Sequence, residues 1–385
     1  MYETQWEDFW WNNITGAQTI VEKVVDALLA NNMVVLQVPS DLPWRHSMRG
    51  AISTAFQGRS ASREIIIDSW DMADDNPGSI DPGKFILEKY AAREIRNGYR
   101  ERSGVKIQDY ISRNEVIKNR ILWIKGLSKS AAQQWIKFCQ DYTSQASLPE
   151  LFVVEIHETC RFTRSRNLKF INYSDSVSSY DVQLFNSFML DSDYEQYSDV
   201  WKSYVSTVAA QVCGTDAEVS EFFIRSTDFK NEDVFESIQR ISENPEFAKR
   251  GVEVESKHVL WEMRNNRTDQ IKHRIWVAQV QVLFPIIEVE RVRIIRMYKG
   301  SIQEALENYH IEQYGQQIAD VSDVELGTLI YMMSRRDSEG MRVLYIPDED
   351  LRSRIYFLHD CRNALAHAEC CTVDQVRELI DAKAV

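Results

Sequence analysis

Apolar residues recur along this chain in two rhythms, and the change of rhythm divides it. In the first part they come as short continuous runs. Met33-Val34-Val35-Leu36-Gln37-Val38 predicts a buried strand, and further strands are expected at 63–69 (around Glu64-Ile65-Ile66-Ile67-Asp68), 120–125, 151–157 and 169–173. Residues 6–14 form an aromatic opening segment that contains Trp6, Trp10 and Trp11. Thr15 stands where it can cap a helix over 16–30, with Ile20, Val21, Val24, Leu28 and Leu29 facing inward. A helix is expected to begin near Trp44, and others over 82–98, 106–118 and 129–143. Continuous apolar strands alternating with helices predict an α/β domain, a parallel sheet covered on both faces.

From residue 180 onward the period is helical. Helices are expected at 181–190, 194–211 and 217–225, followed by a charged stretch, 228–252, with short helical pieces at 234–242 and 245–249. One long helix or two then run over 255–298, with Pro285 as the expected kink. Further helices read at 301–314 and 323–334, a turn at 337–340, and a last helix capped by Thr372. The fold class is therefore α/β plus all-α, in three parts: 1–175, a helical lid or linker over 176–251, and a helical bundle over 252–385.

Composition narrows this picture. A chain of 385 residues accommodates two or three domains, and 44% hydrophobic residues suffice for real cores. Only 8 prolines and 14 glycines argue against long disordered linkers. The net charge of −13 gives no global basic footprint for nucleic acid. Residues 257–299 depart from that average. Lys257, Arg264, Arg267, Lys272, Arg274, Arg291, Arg293, Arg296 and Lys299 face only Glu262, Asp269, Glu288 and Glu290, a local balance of +5. This segment is either an RNA-tracking surface or an ordinary solvated helix face. Six cysteines in mostly apolar contexts read as reduced thiols. The acidic start lacks the layout of a signal peptide, and no window approaches the roughly 20 apolar residues of a spanning helix, so a cytoplasmic protein with no membrane partner is expected.

The candidate chemistry lies near the C-terminus. Pro347-Asp348-Glu349-Asp350 supplies a helix start, and Leu351, Ile355, Leu358 and Leu365 then define one apolar face. Arg362 occupies that face where the pattern asks for another leucine. His359, Asn363 and His367 fall four residues apart and stack as a polar stripe along its flank. A guanidinium on an apolar seam is costly unless an anion meets it.

Arg362-Asn363-Ala364-Leu365-Ala366-His367 resembles the signature of the HEPN superfamily: Arg, a polar residue, then His after four to six intervening positions. The resemblance spans roughly the last 130 residues. It implies a helical bundle, dimerisation or a higher oligomer, and a metal-independent ribonuclease site formed across the dimer. In that reading Arg362 holds the phosphate, His367 carries the proton, Asn363 orients the histidine or the scissile group, and His359 is a second proton carrier. The chemistry needs these residue types independently of the family. Imidazole titrates near neutrality, and a guanidinium is a permanent fork for phosphate oxygens. On a straight helix Arg362 and His367 stand about 140° apart, so a helix end near His367 or a second protomer is required. Two plainer readings compete. Arg362 can pair with Asp360, Glu369 or a carboxylate elsewhere while His367 ends the helix. Alternatively His359, Cys361, His367, Cys370 and Cys371 form a metal site, although their spacing matches no zinc pattern.

The order of elements over about 20–175 resembles the AAA/STAND group of P-loop NTPases, but the motifs are missing. The loop Val38-Pro39-Ser40-Asp41-Leu42-Pro43-Trp44-Arg45-His46-Ser47-Met48 has no glycine or lysine to cradle phosphates. Lys125 stands where a magnesium-binding carboxylate closes the third strand in that group. ATP hydrolysis is not expected, nor any bound cofactor. Arg45 and His46 at a helix start remain able to receive an anion, and Cys160 to Lys169 forms a compact basic patch or simply a loop. The resulting expectation is an RNA-cutting enzyme of prokaryotic antiviral or toxin type, its N-terminal module a degenerate pseudo-ATPase that docks a protein partner. The alternative is a non-catalytic scaffold that dimerises through the helical bundle.

Overall fold

Five strands, β1 (Met33–Val38), β2 (Ile66–Asp71), β3 (Arg120–Lys125), β4 (Glu150–His157) and β5 (Leu168–Asn172), form one parallel sheet in the order β2-β3-β4-β1-β5. The computed structural model describes residues 6–60, 65–75, 81–101, 104–144, 149–162, 168–252 and 257–382. The mixed class expected from the two apolar rhythms is present in coarse form: one parallel sheet with helices, followed by helices.

The chain divides into two units, Met1–Phe185 with Thr215–Val219, and Asn186–Gly214 with Ser220–Val385. Residues 186–214 and 220–251, read from the sequence as a lid, group with the second unit.

In the first unit the most apolar runs take the central places. Val35 pairs with Val154 on one side and Phe170 on the other, and Trp123 with Val153. Val34, Val35, Leu36, Phe152 and Val153 are wholly buried, as strands covered on both faces must be. β2 is different. Its expected start at residue 63 lies outside the described residues, and the strand runs from Ile66 to Asp71 as a half-exposed edge. The edge carries charge, Asp68 to Arg120 at 2.6 Å and Asp71 to Lys125 at 2.7 Å, which guards unpaired strand groups against further pairing.

Eight helices complete this unit among the described residues: α1 (Trp6–Asn13), α2 (Thr15–Leu29), α3 (Arg45–Arg59), α4 (Met72–Asp75), α5 (Pro82–Tyr90), α6 (Arg93–Gly98), α7 (Ile107–Arg113) and α8 (Lys129–Asp141). The aromatic opening segment proves to be the helix α1, with Trp10 and Trp11 fully buried. The Trp11 indole donates to the Trp44 carbonyl at 3.2 Å. Thr15 is the first residue of α2 and Ile14 its cap, so the expected side-chain cap does not form. The helix expected over 82–98 is broken at Ala91-Ala92.

The remaining helices are α9 (Ser179–Asp193), α10 (Asp199–Cys213), α11 (Ala217–Ser226), α12 (Val234–Ser242), α13 (Val259–Arg264), α14 (Thr268–Met297), α15 (Lys299–Tyr309), α16 (Leu326–Ser334), α17 (Glu349–Ala366) and α18 (Val373–Asp381). The spine of the second unit is α14, 30 residues long, against which α10, α13, α17 and α18 pack. Of the one or two helices expected over 255–298 there are two, divided at 265–267, where Asn266 takes a left-handed conformation (φ +57°). α14 continues through Pro285, since Pro285 and Gln281 lie on its exposed side and the unpaired carbonyl can meet water. The piece expected at 245–249 is a single 3-10 turn. Among the described residues no helix is long and apolar enough to cross a membrane.

One buried carboxyl gives the first unit a pH signature. Glu150 opens β4, and its Oε2 accepts hydrogen bonds from Tyr142 (2.8 Å), Ser144 (2.9 Å) and Ser112 (3.3 Å). Its Oε1 is buried without a hydrogen-bond partner. Burial outweighs the three hydroxyl donors and raises the carboxyl above its ordinary range. The native state therefore holds this proton to higher pH than the unfolded chain does. The Glu150 contribution to stability falls as pH rises from the unfolded value, about 4.3, through the raised native one. Glu150→Gln is expected to gain melting temperature relative to wild type as pH increases from about 4 to about 8. Parallel melting curves for the two proteins at every pH would contradict this.

Candidate functional site

α17 begins as its sequence dictates. Asp348 accepts from the Leu351 amide at 3.1 Å as N-cap, and Glu349 and Asp350 occupy the first turn. Leu351, Ile355, Leu358, Cys361 and Leu365 are buried and form the inner face. Arg362 lies at the edge of that face with its side chain 29% exposed. The anion it meets is Glu325, the residue before α16, at 3.1 Å between Nη2 and Oε2. The Tyr314 hydroxyl donates to the same oxygen at 2.8 Å.

The polar stripe is connected. Arg362 Nη1 donates to Asn363 Oδ1 at 3.4 Å, and Asn363 Nδ2 lies 3.1 Å from His359 Nε2. With Nε2 accepting from the amide, the ring proton belongs on Nδ1, which faces Asp360 Oδ1 at 3.4 Å. Gly327 of α16 faces this ring, and a Cβ there would make only ordinary van der Waals contact with His359 Nε2, at 3.5 Å. Glu325, Arg362, Asn363 and His359 thus form one continuous polar chain. The Asn363 side chain engages Arg362 and His359; its bond to His367 is through the backbone, the His367 N–H donating to the Asn363 carbonyl at 3.0 Å.

His367 is the first residue beyond the helix, fully on the surface side, and its imidazole makes no hydrogen bond or ion pair among the described residues. The backbone before and after it is tied to α14 at Leu365 and Cys371. The Trp276 indole donates to the Leu365 carbonyl at 2.7 Å. The buried Gln279 amide accepts from the Cys371 N–H at 2.7 Å and donates to the Cys371 carbonyl at 3.2 Å. Ala368, directly after His367, is left-handed (φ +62°). Glu325, Trp276 and Gln279 carry no sequence signal of their own. They lie 37, 89 and 92 residues from their partners, beyond any local pattern.

The seven cations proposed to track RNA separate into two groups. Arg264 donates to the carbonyls of Ser242, Phe247 and Arg250 and so closes the turns around α12. Arg274 bonds the Val212 and Lys257 carbonyls and pairs with buried Glu262 at 2.8 Å. Arg291 serves Glu288 and the carbonyls of Ser322 and Val324. These three are spent on the fold. Arg267 and Lys272 are exposed and rest over Trp261 and Phe235, at 5.4 and 5.5 Å from the ring centres. Arg293 and Arg296 are exposed and unpaired among the described residues. Lys272 and Arg293 stand about 32 Å apart along α14, from 1.5 Å per residue, so the seven do not form one surface.

At the carboxyl edge of the sheet, the place where open α/β folds receive ligands, the cations are matched from within. Arg45 pairs with buried Glu155 at 2.9 Å and folds back onto the Pro39 and Ser40 carbonyls. The Trp44 amide is taken by Glu218 at 2.7 Å. Lys125 pairs with Asp71, and that contact outweighs burial to hold the Asp71 carboxyl below its usual range. His46 is exposed at the start of α3. In the basic patch, Phe162 stacks on Phe170 at 4.3 Å, and 163–167 lie outside the described residues.

All six cysteines are free thiols. Among the described residues no group of His, Cys, Asp or Glu is arranged to hold a metal ion. No protein-family model matches the chain, and no curated protein matches it either.

The division of the basic residues has a direct test. Arg274→Ala would leave the Glu262 carboxylate buried without its ion pair and is expected to cost about 3 kcal/mol of stability. Arg293→Ala and Arg296→Ala remove exposed charges and should stay within about 0.5 kcal/mol of wild type. Chemical denaturation of the three variants decides this, and a neutral Arg274→Ala would return that residue to the pool of free surface charge.

Proposed function

We propose that the second unit is a HEPN-type, metal-independent endoribonuclease. In this reading Arg362 grips the scissile phosphate, His367 takes the proton of the neighbouring 2′-hydroxyl as its oxygen attacks phosphorus, and the P–O5′ bond breaks with a proton delivered to the departing 5′-oxygen, leaving a 2′,3′-cyclic phosphate. The observation that carries it is the placement of the motif: Arg362 half-exposed on a capped helix, with His367 unpartnered at its end, among the described residues. An imidazole that neither packs nor bonds is free to serve as acid or base. His359, held by Asn363, is placed to orient or accept a proton beside the guanidinium. The helix ends at Ala366, just before His367, which lifts the straight-helix limit on the pair; the homodimer belongs to the proposal through the family resemblance.

The Glu325 contact sets the resting state. A half-exposed ion pair is worth about 0–1 kcal/mol, whereas hydrogen bonds to a charged phosphate contribute about 1.5–3 kcal/mol each. RNA phosphate can therefore displace Glu325, and the carboxylate acts as a weak internal competitor.

The first unit fits a module related in architecture to AAA/STAND NTPases. Its support is the parallel sheet with β1 inside it and a loop leading from β1 into α3. With its cations neutralised by neighbouring acids and no glycine in the loop, it serves as a docking scaffold for a protein partner. The defence or toxin role is an analogy that rests on this pairing of modules. A second reading has one observation in its favour. Arg362 already has its anion in Glu325, which suits a structural ion pair in a non-catalytic dimerising scaffold.

Cleavage of RNA in excess EDTA separates the two. His367→Ala is expected to lose at least about 100-fold in rate with an unchanged melting temperature, the range for removal of a general acid or base. Glu325→Gln is expected to raise cleavage up to about fivefold, from the roughly 1 kcal/mol of the competing pair. Equal cleavage by wild type and His367→Ala would sink the nuclease reading, and so would silence of wild type both alone and in its native complexes.

A further inference from the structure

We propose that a cavity in the second unit binds a small organic cation with an apolar body, of the arylalkylamine class. This site is independent of the nuclease reading. It lies among α10, α12, α14 and α18, behind the connector that follows His367, and has a volume of about 430 Å³. That is within the usual range for small-ligand pockets, about 300–1,000 Å³.

Its walls are buried and apolar, with Phe229, Val234, Ile275 and Val376 among them. Its deep end is polar at one point. The buried Tyr204 hydroxyl accepts from Gln279 Nε2 at 3.3 Å, while its own proton finds no acceptor among the described residues. A buried hydroxyl with an unused donor is an open hydrogen bond waiting for an acceptor on a ligand. Gln279 itself is fully engaged by Cys371 and Tyr204, so it shapes the cavity rather than offering a further bond. The Cys370 thiol on the wall is pushed up to about 11 by burial, so it adds no charge at neutral pH.

The rim has the opposite character. Asp233, Glu236 and Glu369 are exposed there and Glu232 is half-exposed, against the single cation Lys272. Asp233 is occupied in capping α12 and Glu232 in pairing with Arg240. Glu236 and Glu369 have no partner among the described residues and remain to receive an ammonium. Phe235, also on the rim, presents a ring that already attracts Lys272 at 5.5 Å and can do the same for a ligand amine. Acceptor at the deep end, apolar body between, cation at the mouth: the three zones specify the ligand class together.

Tyramine has these three parts, with a phenol oxygen, a ring and an ammonium. It serves as the probe, compared with phenethylamine, which lacks the phenol oxygen, and 4-hydroxyphenylacetate, which reverses the charge. Calorimetric titration of the full chain is expected to rank tyramine above phenethylamine and to show no binding of the acid. Tyr204→Phe should erase the difference between the two amines. The double variant Glu236→Gln, Glu369→Gln, both exposed and harmless to folding, should weaken tyramine about three- to tenfold. Val376→Phe, checked for native circular dichroism, should abolish binding by filling the cavity. The proposal is overturned if millimolar tyramine does not bind, if the acid binds as tightly as the amine, or if folded Val376→Phe binds like wild type.

Discussion

The second unit depends on how one long helix satisfies its buried polar groups. α14 is apolar around much of its circumference, yet it carries Gln279 in the core, and a buried amide without partners would cost about 1–3 kcal/mol. Every donor and acceptor of that amide is spent on tying other elements to the spine: Tyr204 of α10 and both backbone groups of Cys371. Trp276, Arg274 and Glu290 repeat the device, reaching the Leu365 carbonyl, the Val212 carbonyl and Arg354 of α17 respectively. Apolar packing is tolerant of small slips, but these bonds are directional. They fix the register of α17 and of the turn carrying His367 against α14.

The same economy governs the charges. Arg45, Lys125, Arg264, Arg274 and Arg291 are answered by acids or carbonyls nearby, while Arg293 and Arg296 are exposed and without a partner among the described residues. A net charge of −13 is therefore compatible with nucleic-acid chemistry only if contact is local, through one guanidinium and one imidazole rather than a broad basic face. In the nuclease reading proposed above, Arg362 would be that guanidinium, its half-exposed partner Glu325 giving way to a phosphate.

Much of this arrangement was legible in the sequence because it is periodic. The strands at Met33–Val38 and Arg120–Lys125 and the helix Val234–Ser242 fall where the apolar pattern puts them. Continuous burial on both faces leaves a strand little freedom to shift. The edge strand β2 is less sharply marked, running on to Asp71 where the apolar pattern ends it at Ser69, since an edge strand is held by fewer neighbours and its apolar run is a weaker guide. Pro285, read as a kink, lies inside a helix that runs on through it. A proline forbids one hydrogen bond, but whether that breaks a helix depends on which side faces solvent, and tertiary context decides this. At the candidate site, the residues of the motif were readable and their partners were not. Sequence chemistry indicated that Arg362 needs an anion, yet only the fold brings Glu325 to it from 37 positions away. The basic stretch shows the converse. Composition registered nine cations over 257–299 without distinguishing Arg264, buried in carbonyls, from Arg293 on the surface.

The left-handed alanine after His367 has a wider meaning for how this chain can change. Alanine in that conformation carries about 1–2 kcal/mol of strain that glycine would avoid. Yet it confines the chain reversal to fewer shapes than glycine would. The direction in which the imidazole leaves the helix is thus set by a stiff corner in the main chain, so drift among neighbouring surface side chains can proceed without re-aiming it.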